Sequence, residues 1–209
     1  MSKKISNIEI RNTEVAGIES AFNGMRNPLK SHHISDSRFG EGGCSLGERD
    51  LDLAIKLTKA GNEHRKFLRM IQVWADIKLP RFIWSEFDTY QFITKNSEST
   101  MHTIHRRHIE QRDFYQHINE NHLKYLNNII DSKKNGELTT IEFINKIKNE
   151  LPDGYLQMRT INTNYEQLLN MYFQRRGHKL KPWHEVCNWI ESLPYMDEFI
   201  NAMEENKNK

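Results

Sequence analysis

The sequence predicts one mixed domain of the α/β class, of the α+β type, and three observations support this prediction. The chain has 209 residues, which suits a single compact domain with a sizeable core. Residues 71–78 alternate between apolar and polar side chains, as a half-buried strand does. Thr139 and Glu142 form the sequence pattern of a helix capping box, and Pro182 lies in the first turn of a later helical segment. Because no repeat or linker divides the chain, we expect a single domain over residues 1–209.

The strands and loops are expected mainly in the first half of the chain. Residues 6–20 alternate weakly and predict a first strand followed by a turn. Residues 32–50 are rich in Gly and Ser and predict a loop. Pro80 begins a new element, and the segment that follows it lacks clean strand alternation and fits a short helix equally well.

The helices are predicted from capping residues and apolar stripes. Asp50 or Ser45 is expected to cap the first helix, and Gly61 is expected to end it. A polar segment in the middle of the chain carries one narrow apolar stripe, and residues 200–209 are predicted to form a frayed tail. The predicted helices cover residues 51–60, 103–132, 140–150, 164–176 and 182–192.

Composition and charge argue against several classes of protein. The net charge is +2, with 37% apolar and 28% charged residues, so the total charge gives no reason to expect nucleic acid or an anionic membrane as a partner. No apolar run approaches the length of a membrane span, and the first residues lack the apolar core of a secretion signal. Cys44 and Cys187 match no metal-ligand spacing. We therefore expect a cytoplasmic protein with free thiols and no metal site.

Two histidine-containing stretches are open to more than one interpretation. The adjacent pair His32 and His33 is typical of a solvated loop, and a metal site is the less favoured alternative. Residues 105–108 read His-Arg-Arg-His, which suggests a phosphate or nucleic-acid patch. Consecutive residues on a helix point in different directions, so a solvated helix start is the favoured interpretation.

Residues 76–102 combine several aromatic side chains with a polar Asn-Ser-x-Ser-Thr run. The rings of Trp84, Phe87 and Tyr90 suit stacking on a flat ligand, and packing at a subunit seam is an equally open alternative. The hydroxyl groups at the end of the run are of the kind that holds phosphates, although Ser-rich turns also bind their own backbone. The segment predicts either a ligand site or a structural corner.

Asn164 and Arg175 form a second candidate site on one predicted helix. They are eleven residues apart, which places them on the same side of a helix at a separation of roughly 16 Å. With Leu168 and Met171 between them, they could bracket a long ligand that has an apolar middle and an anionic end. The alternative is a helix N-cap and a surface arginine.

Two ordered stretches resemble the signature regions of flavin-dependent thymidylate synthases, which methylate deoxyuridylate using FAD. In that family an apolar element with a proline precedes an Arg-His-Arg triplet and a Ser/Asn-x-x-Ser-x-Arg-Tyr run. "KLPRFIW" matches the first element, and "TKNSESTMH" matches the run, with Asn96 and Ser99 at the family's Asn and Ser positions. His64 falls where the family has a His in the preceding turn.

The second resembling stretch is "ELPDGYLQMRTINTNYEQLLNMYFQRR". Its Leu151-Pro152, Asn164, Asn170 and Arg175 keep the spacing of the family's Leu-Pro, Thr-x-Asn and Leu-Met-Asn-Phe helix. The resemblance covers residues 50–190, whereas the first 45 residues are divergent. It implies a single domain with a central mixed sheet flanked by helices.

The resemblance also implies roles for individual residues. Arg175 is expected to be catalytic and to bind substrate, because a guanidinium there would stabilise negative charge on the pyrimidine. The expected cofactor-binding residues are His64, Tyr90, Gln91, Asn96, Asn164 and Asn170. The remaining expected substrate-binding residues are Glu86, Thr89, Ser97, Glu98, Ser99, Thr100 and Lys148.

The implied activity is transfer of a one-carbon unit to C5 of a pyrimidine deoxynucleotide, most simply dUMP to dTMP in nucleotide biosynthesis. FAD would be the cofactor, NADPH and methylenetetrahydrofolate the co-substrates, and a homotetramer the assembly. The alternative is a homologue that binds nucleotide or flavin without catalysis. Three cations could replace the missing arginines, namely Arg81, Lys95 and Lys148. The departures from the family pattern are Thr89-Tyr90-Gln91 for Arg-His-Arg, Met101 and His102 for Arg-Tyr, Glu86 for Gln, and Glu166 for Arg.

Overall fold

The computed structural model describes residues 7–40 and 43–207, and its elements confirm the mixed α+β class. Within these ranges the strands are β1 (Glu9–Ala16), β2 (Arg38–Gly40), β3 (Gly43–Ser45), β4 (Gln72–Pro80), β5 (Thr94–Ser97) and β6 (Leu156–Asn164). The helices are α1 (Ile18–Met25), α2 (Glu48–Lys59), α3 (Arg81–Phe87), α4 (Thr100–Thr103), α5 (Glu120–Lys134), α6 (Thr140–Glu150), α7 (Tyr165–Arg175), α8 (Lys181–Glu191) and α9 (Met196–Lys207).

Four strands form one sheet in the order β1-β4-β6-β5, and β2 pairs with β3 as an antiparallel ribbon. The chain divides into two compact units. Of the described residues, the first unit contains those up to Arg11, those from Asp76 to Gln91 and those from Lys95 to Thr160. The second unit contains the other described residues. The single domain expected from the sequence stays a prediction.

Local sequence patterns correctly predicted several elements. The alternation across residues 71–78 forms β4, in which Val73, Ala75 and Ile77 are buried. The capping box at the start of α6 is present, because the Thr139 hydroxyl accepts from the Glu142 N–H at 3.3 Å. In return, a Glu142 carboxylate oxygen accepts from the Thr139 N–H at 2.8 Å.

The long helix predicted over residues 103–132 is wrong in its first half. Only residues from Glu120 onward form α5, and two short 3₁₀ turns precede it at Ile104–Arg106 and Gln111–Asp113. Arg107 forms a bidentate pair with Asp113 at 2.7 and 2.6 Å, which fixes the irregular segment between these turns. The solvated helix start favoured for residues 105–108 is therefore wrong, because these residues lie in and just after a 3₁₀ turn and not at the start of α5.

The first unit has its own apolar core. Helices α5 and α6 pack against each other, and the capped start of α6 fixes where that packing begins. The buried cluster consists of Ile104, Ile109, Phe114, Leu126, Ile129, Ile130, Phe143, Ile147 and Leu151.

The frayed tail predicted for residues 200–209 is wrong over the part that the structure describes. Residues up to Lys207 belong to α9, and residues 208–209 lie outside the described ranges. Phe199 and Ile200 are buried on this helix, and Lys59 pairs with Glu205 at 2.6 Å. The polar composition of the terminus conceals this packing, because only one face of α9 is apolar.

The loop predicted over residues 32–50 is only partly correct. It contains the ribbon of β2 and β3, and residues 41–42 lie outside the described ranges. Gly47 is the N-cap of α2, so neither Asp50 nor Ser45 has the predicted capping role. Gly61 does end the α2 segment, since its φ of 110° is the left-handed conformation that glycine adopts without strain.

Asp50 is instead the centre of a buried polar network in the second unit. Its carboxylate pairs with the Arg26 guanidinium, and the two side chains are 1% and 3% exposed. The carboxylate also accepts from the Ser35 hydroxyl at 2.6 Å and from the Ser37 N–H at 3.1 Å. Burial alone would raise the pKa of Asp50, but these hydrogen bonds outweigh it and lower the pKa below its ordinary value.

We expect Asp50→Asn to lower the free energy of unfolding by about 3–5 kcal/mol, because it leaves the buried Arg26 charge without a counter-charge. Asp52→Asn is the matched control, since Asp52 is exposed on the same helix and its loss should cost about 0.5 kcal/mol or less. Urea denaturation of both variants measures the difference. Equal stability of the two variants would contradict the account.

The pH dependence of the free energy of unfolding tests the pair of Arg26 and Asp50 in a second way. Because the folded pKa of Asp50 is lowered, its contribution is present above the unfolded pKa of about 3.9 and is lost as the pH falls through the folded pKa. The stability difference between the wild type and Asp50→Asn should therefore shrink in that acidic range.

Candidate functional site

A cavity of about 790 Å³ lies in the second unit and has the size of a small-molecule site. It is bordered by the end of α1, the turn that follows it, α2, and a 3₁₀ turn at Arg65–Arg69. Its apolar lining includes Met25, Leu29, Ile34, Leu53, Phe67 and Met70.

Three apolar side chains of this lining are exposed to solvent, unlike the buried side chains of the core. The exposed fraction is 83% for Leu29, 42% for Ile34 and 46% for Met70. Apolar side chains that are grouped and exposed around a cavity are typical of a binding surface. Phe67 and Met25 are buried and form the deeper part of the wall. The cavity therefore presents an apolar interior that remains open to a ligand.

Charged side chains border the same cavity. Arg26 is neutralised by Asp50, as described above, whereas Arg49, Lys56 and Lys66 are exposed cations. Asp52 and Glu63 also border the cavity and partly offset these charges. Apart from the Arg26 pair, the lining thus combines three cations with two carboxylates.

His64 is the predicted site residue that the structure brings to this cavity. It is exposed and immediately precedes the 3₁₀ turn, and its backbone N–H donates to the Gly61 carbonyl at 3.1 Å. The glycine that ends the α2 segment therefore also positions His64. A role for His64 in cofactor binding stays a prediction.

Asn164 and Asn170 lie on α7, in the second unit but outside the lining of the cavity as the described residues define it. The Asn164 side-chain oxygen accepts from the Gln167 N–H at 3.0 Å, so Asn164 is the N-cap of α7, as the alternative interpretation proposed. Asn170 is half-buried on the same helix. Glu166, which stands where the family has an arginine, pairs with Arg69.

Arg175 is half-buried at the end of α7, with its guanidinium carbon 4.6 Å from the centre of the Trp183 ring. This cation–π contact restrains the position of the guanidinium. Leu168 and Met171 are each 0% exposed, so the face between Asn164 and Arg175 offers no open apolar surface. The hypothesis that Asn164 and Arg175 of one chain bracket a long ligand with an apolar middle is therefore wrong.

Trp84 and Phe87 of the signature segment belong to the core of the first unit. Trp84 and Phe87 are 0% exposed, with ring centres 5.0 Å apart. The Trp84 indole N–H donates to the Gln157 carbonyl at 2.9 Å, and the Arg159 guanidinium stacks over the same indole at 4.5 Å. The prediction that Trp84 and Phe87 stack on a ligand is therefore wrong, because their faces are already covered by protein.

The triplet Thr89-Tyr90-Gln91 does not present one continuous surface. Tyr90 is 8% exposed and packs against Phe87, whereas Thr89 and Gln91 are exposed. The Thr89 hydroxyl donates to the Glu86 carbonyl at 2.7 Å. Glu86 is itself half-buried at the end of α3. Roles for these side chains toward a ligand stay predictions.

The polar run after the triplet is more accessible. Asn96 and Ser97 are exposed on β5, and Glu98 is exposed just beyond it, where its N–H donates to the Met158 carbonyl at 2.9 Å. Ser99 and Thr100 are half-buried at the start of α4. These groups are positioned at the surface of the first unit, but their ligand roles remain untested predictions.

Two of the three cations expected to replace the missing arginines are already engaged. Arg81 donates to the Leu151 carbonyl at 3.0 Å and lies 3.5 Å from the Asp153 carboxylate. Lys95 pairs with Asp88 at 3.1 Å. Lys148 is exposed in the last turn of α6. Compensation by Arg81 or Lys95 would require breaking these interactions.

The cations that do border a cavity were missed from the sequence. Arg49, Asp52 and Lys56 are spaced three and four residues apart on α2, which places them on one face. That spacing was visible, but the first 45 residues were too divergent to show which segments complete the cavity. Among the described residues, no group of three or more His, Cys, Asp or Glu side chains could hold a metal ion. In the same ranges, no helix is long and apolar enough to cross a membrane.

Comparison with solved structures gives the fold. Thymidylate synthase X (ThyX) from Helicobacter pylori, solved with FAD and dUMP, matches with a TM-score of 0.71 and 18% identity, over 94% of this chain and 99% of that one. A second structure, of flavin-dependent thymidylate synthase ThyX from the same organism complexed with FAD and dUMP, matches at 0.70 and 16% identity, over 93% and 99%.

A third structure extends the comparison to another activity. The UMP/dUMP methylase PolB from Streptomyces cacaoi, bound with 5-Br dUMP, matches with a TM-score of 0.59 and 10% identity, over 96% of this chain and 94% of that one. No family model and no curated protein matches the chain. The chain therefore has the fold of flavin-dependent thymidylate synthases, as the sequence resemblance predicted.

Proposed function

We propose that this protein is a flavin-dependent enzyme that transfers a one-carbon unit to C5 of a pyrimidine deoxynucleotide, converting dUMP to dTMP or acting on a related pyrimidine. The observation that carries the proposal is the match over nearly the full length of both chains to structures solved with FAD and dUMP. The ordered sequence resemblance at residues 50–190 supports it independently of the fold.

The cavity of the second unit fits a flavin nucleotide. Its walls are apolar and its border carries cations, which suits a flat ring system joined to an anionic group. His64 lies at this cavity, and we propose that it contacts the cofactor. When bound, reduced FAD would supply the hydride chemistry, so that neither cysteine needs to act as a nucleophile. NADPH and methylenetetrahydrofolate would be the co-substrates.

The role that we propose for Arg175 is electrostatic. Its contact with the Trp183 ring restrains the guanidinium, and donors that are positioned before the reaction stabilise developing charge without reorganisation. Negative charge on the pyrimidine ring is the charge it would stabilise. We propose cofactor roles for Asn96, Asn164 and Asn170, and substrate roles for residues 97–100, because these positions match the family pattern. A cytoplasmic homotetramer is part of the same proposal.

A non-catalytic nucleotide- or flavin-binding protein is the second candidate. The observations that favour it are the absence of the Arg-His-Arg triplet and the engagement of Arg81 and Lys95 by protein carboxylates. The two candidates differ in turnover and not in binding. Calorimetry with dUMP and UMP, combined with a nicotinamide-oxidation assay, therefore separates them.

The purified protein is expected to be yellow and to show the absorption spectrum of bound flavin. If the cofactor is lost during purification, the protein should recover that spectrum after incubation with FAD and gel filtration. Heat-denatured protein carried through the same steps is the control for nonspecific uptake. A folded protein that neither carries FAD nor takes it up would remove the flavin enzyme from consideration.

Arg175→Ala is expected to lower the turnover number by about 10²–10³, because one fixed donor at the reacting ring is lost. Arg176→Ala is the matched control, since Arg176 also stacks on rings, at 5.9 Å from Tyr172 and 4.9 Å from Phe173. The control should remain active. Nicotinamide oxidation gives the rates, and near-ultraviolet circular dichroism with flavin content shows whether each variant is folded. Near-normal turnover in Arg175→Ala would exclude the catalytic role.

A further inference from the structure

The two arginines of the family's Arg-His-Arg triplet are missing from this chain, so the positive charge of the triplet is not supplied at those positions. Thr89-Tyr90-Gln91 replaces two arginines, and the nearby Arg81 and Lys95 are paired with Asp153 and Asp88. A site that binds an anion needs cations that are not already neutralised. Cations of this kind border the cavity of the second unit.

Three cations border that cavity: Arg49, Lys56 and Lys66. Within residues 7–40 and 43–207, none of these side chains takes part in a hydrogen bond or ion pair. Arg49 and Lys56 are seven residues apart on α2, which places them on one face with a rise of about 10 Å between them. Lys59 on the same helix differs, because it pairs with Glu205 and does not line the cavity.

The carboxylates at the cavity limit what kind of ligand is suitable. Asp52 lies between the two α2 cations on the same face, and Glu63 borders the cavity before the 3₁₀ turn. Ionised carboxylates accept hydrogen bonds and repel anions. A ligand that satisfies both sets of charges has an anionic group for the cations and N–H donors for the carboxylates, joined to a body that suits the apolar walls.

We infer that Arg49, Lys56 and Lys66 hold the anionic group of a flat heteroaromatic ligand in this cavity and so take over the charge role of the missing triplet. The inference rests on the proposed function for the identity of the ligand. The shared chemistry is a heteroaromatic ring with N–H donors that carries phosphates, as in FAD, or carboxylates, as in a folate.

The test measures dissociation constants by calorimetry for FAD and for folic acid. Each ligand is compared with a neutral partner of the same ring system, riboflavin for FAD and the dimethyl ester for folic acid. The variants are Arg49→Gln, Lys56→Gln, Lys66→Gln and the double variant R49Q/K56Q. Lys179→Gln is the matched control, since it removes an exposed lysine of the same unit that lies outside the cavity lining.

Each cavity variant is expected to bind one of the two anionic ligands about tenfold more weakly, which corresponds to the loss of one charge-assisted contact. The neutral partner should change less than twofold, and Lys179→Gln should bind like the wild type. A loss for FAD assigns the cations to phosphates, and a loss for folic acid assigns them to carboxylates. Equal affinities of the wild type and the double variant for both anionic ligands would overturn the inference, as would an equal loss in Lys179→Gln.

The same data separate this inference from the proposed function. A wild type that binds folic acid with the expected charge dependence, but never FAD, supports the inference and counts against the flavin enzyme. A wild type that binds FAD and turns over, with no change in the double variant, overturns the inference and leaves the enzyme in place. Melting temperatures of all variants show that losses of affinity do not come from unfolding.

Discussion

The buried pair between Arg26 and Asp50 is the interaction on which the candidate cavity depends. Asp50 lies inside α2 and Arg26 follows α1, so the pair joins two of the segments that border the cavity. The hydrogen bonds from Ser35 and Ser37 attach the intervening turn to the same carboxylate. Because a buried charge is costly without its partner, this network strongly disfavours arrangements that separate the segments. The wall of the cavity is therefore set by electrostatics as well as by apolar packing.

Three cations of the first unit are paired within the protein, whereas two cations at the cavity of the second unit are not paired within the described part of the chain. In the first unit, Arg81, Lys95 and Arg107 are all engaged by carboxylates of the protein. In the second unit, Arg49 and Lys56 border a cavity without such partners among the described residues. The departures from the family signature are consistent with our inference that the cations at the cavity, and not the triplet, bind the anionic group of the ligand.

Local patterns predicted the elements that depend on neighbouring residues. The capping box joins Thr139 to Glu142, three positions further along the chain, and was predicted correctly, as was the alternation in β4. Interactions between distant residues were not visible in the sequence. Arg26 and Asp50 are 24 positions apart, and the indole of Trp84 donates to a carbonyl 73 positions away. The burial of Trp84 and the position of the three cations at the cavity could not be inferred from the sequence, because both depend on which distant segments pack together.

The release of tritium from C5 of labelled dUMP is the measurement that tests the central claim most directly, because the bond from C5 to that hydrogen must break for a one-carbon unit to replace it. The assay contains the protein, FAD, NADPH and methylenetetrahydrofolate, with labelled UMP as the parallel substrate. The account predicts release from at least one of the two nucleotides that requires both FAD and methylenetetrahydrofolate. A folded, flavin-loaded protein that binds these nucleotides but releases no tritium from either would contradict it.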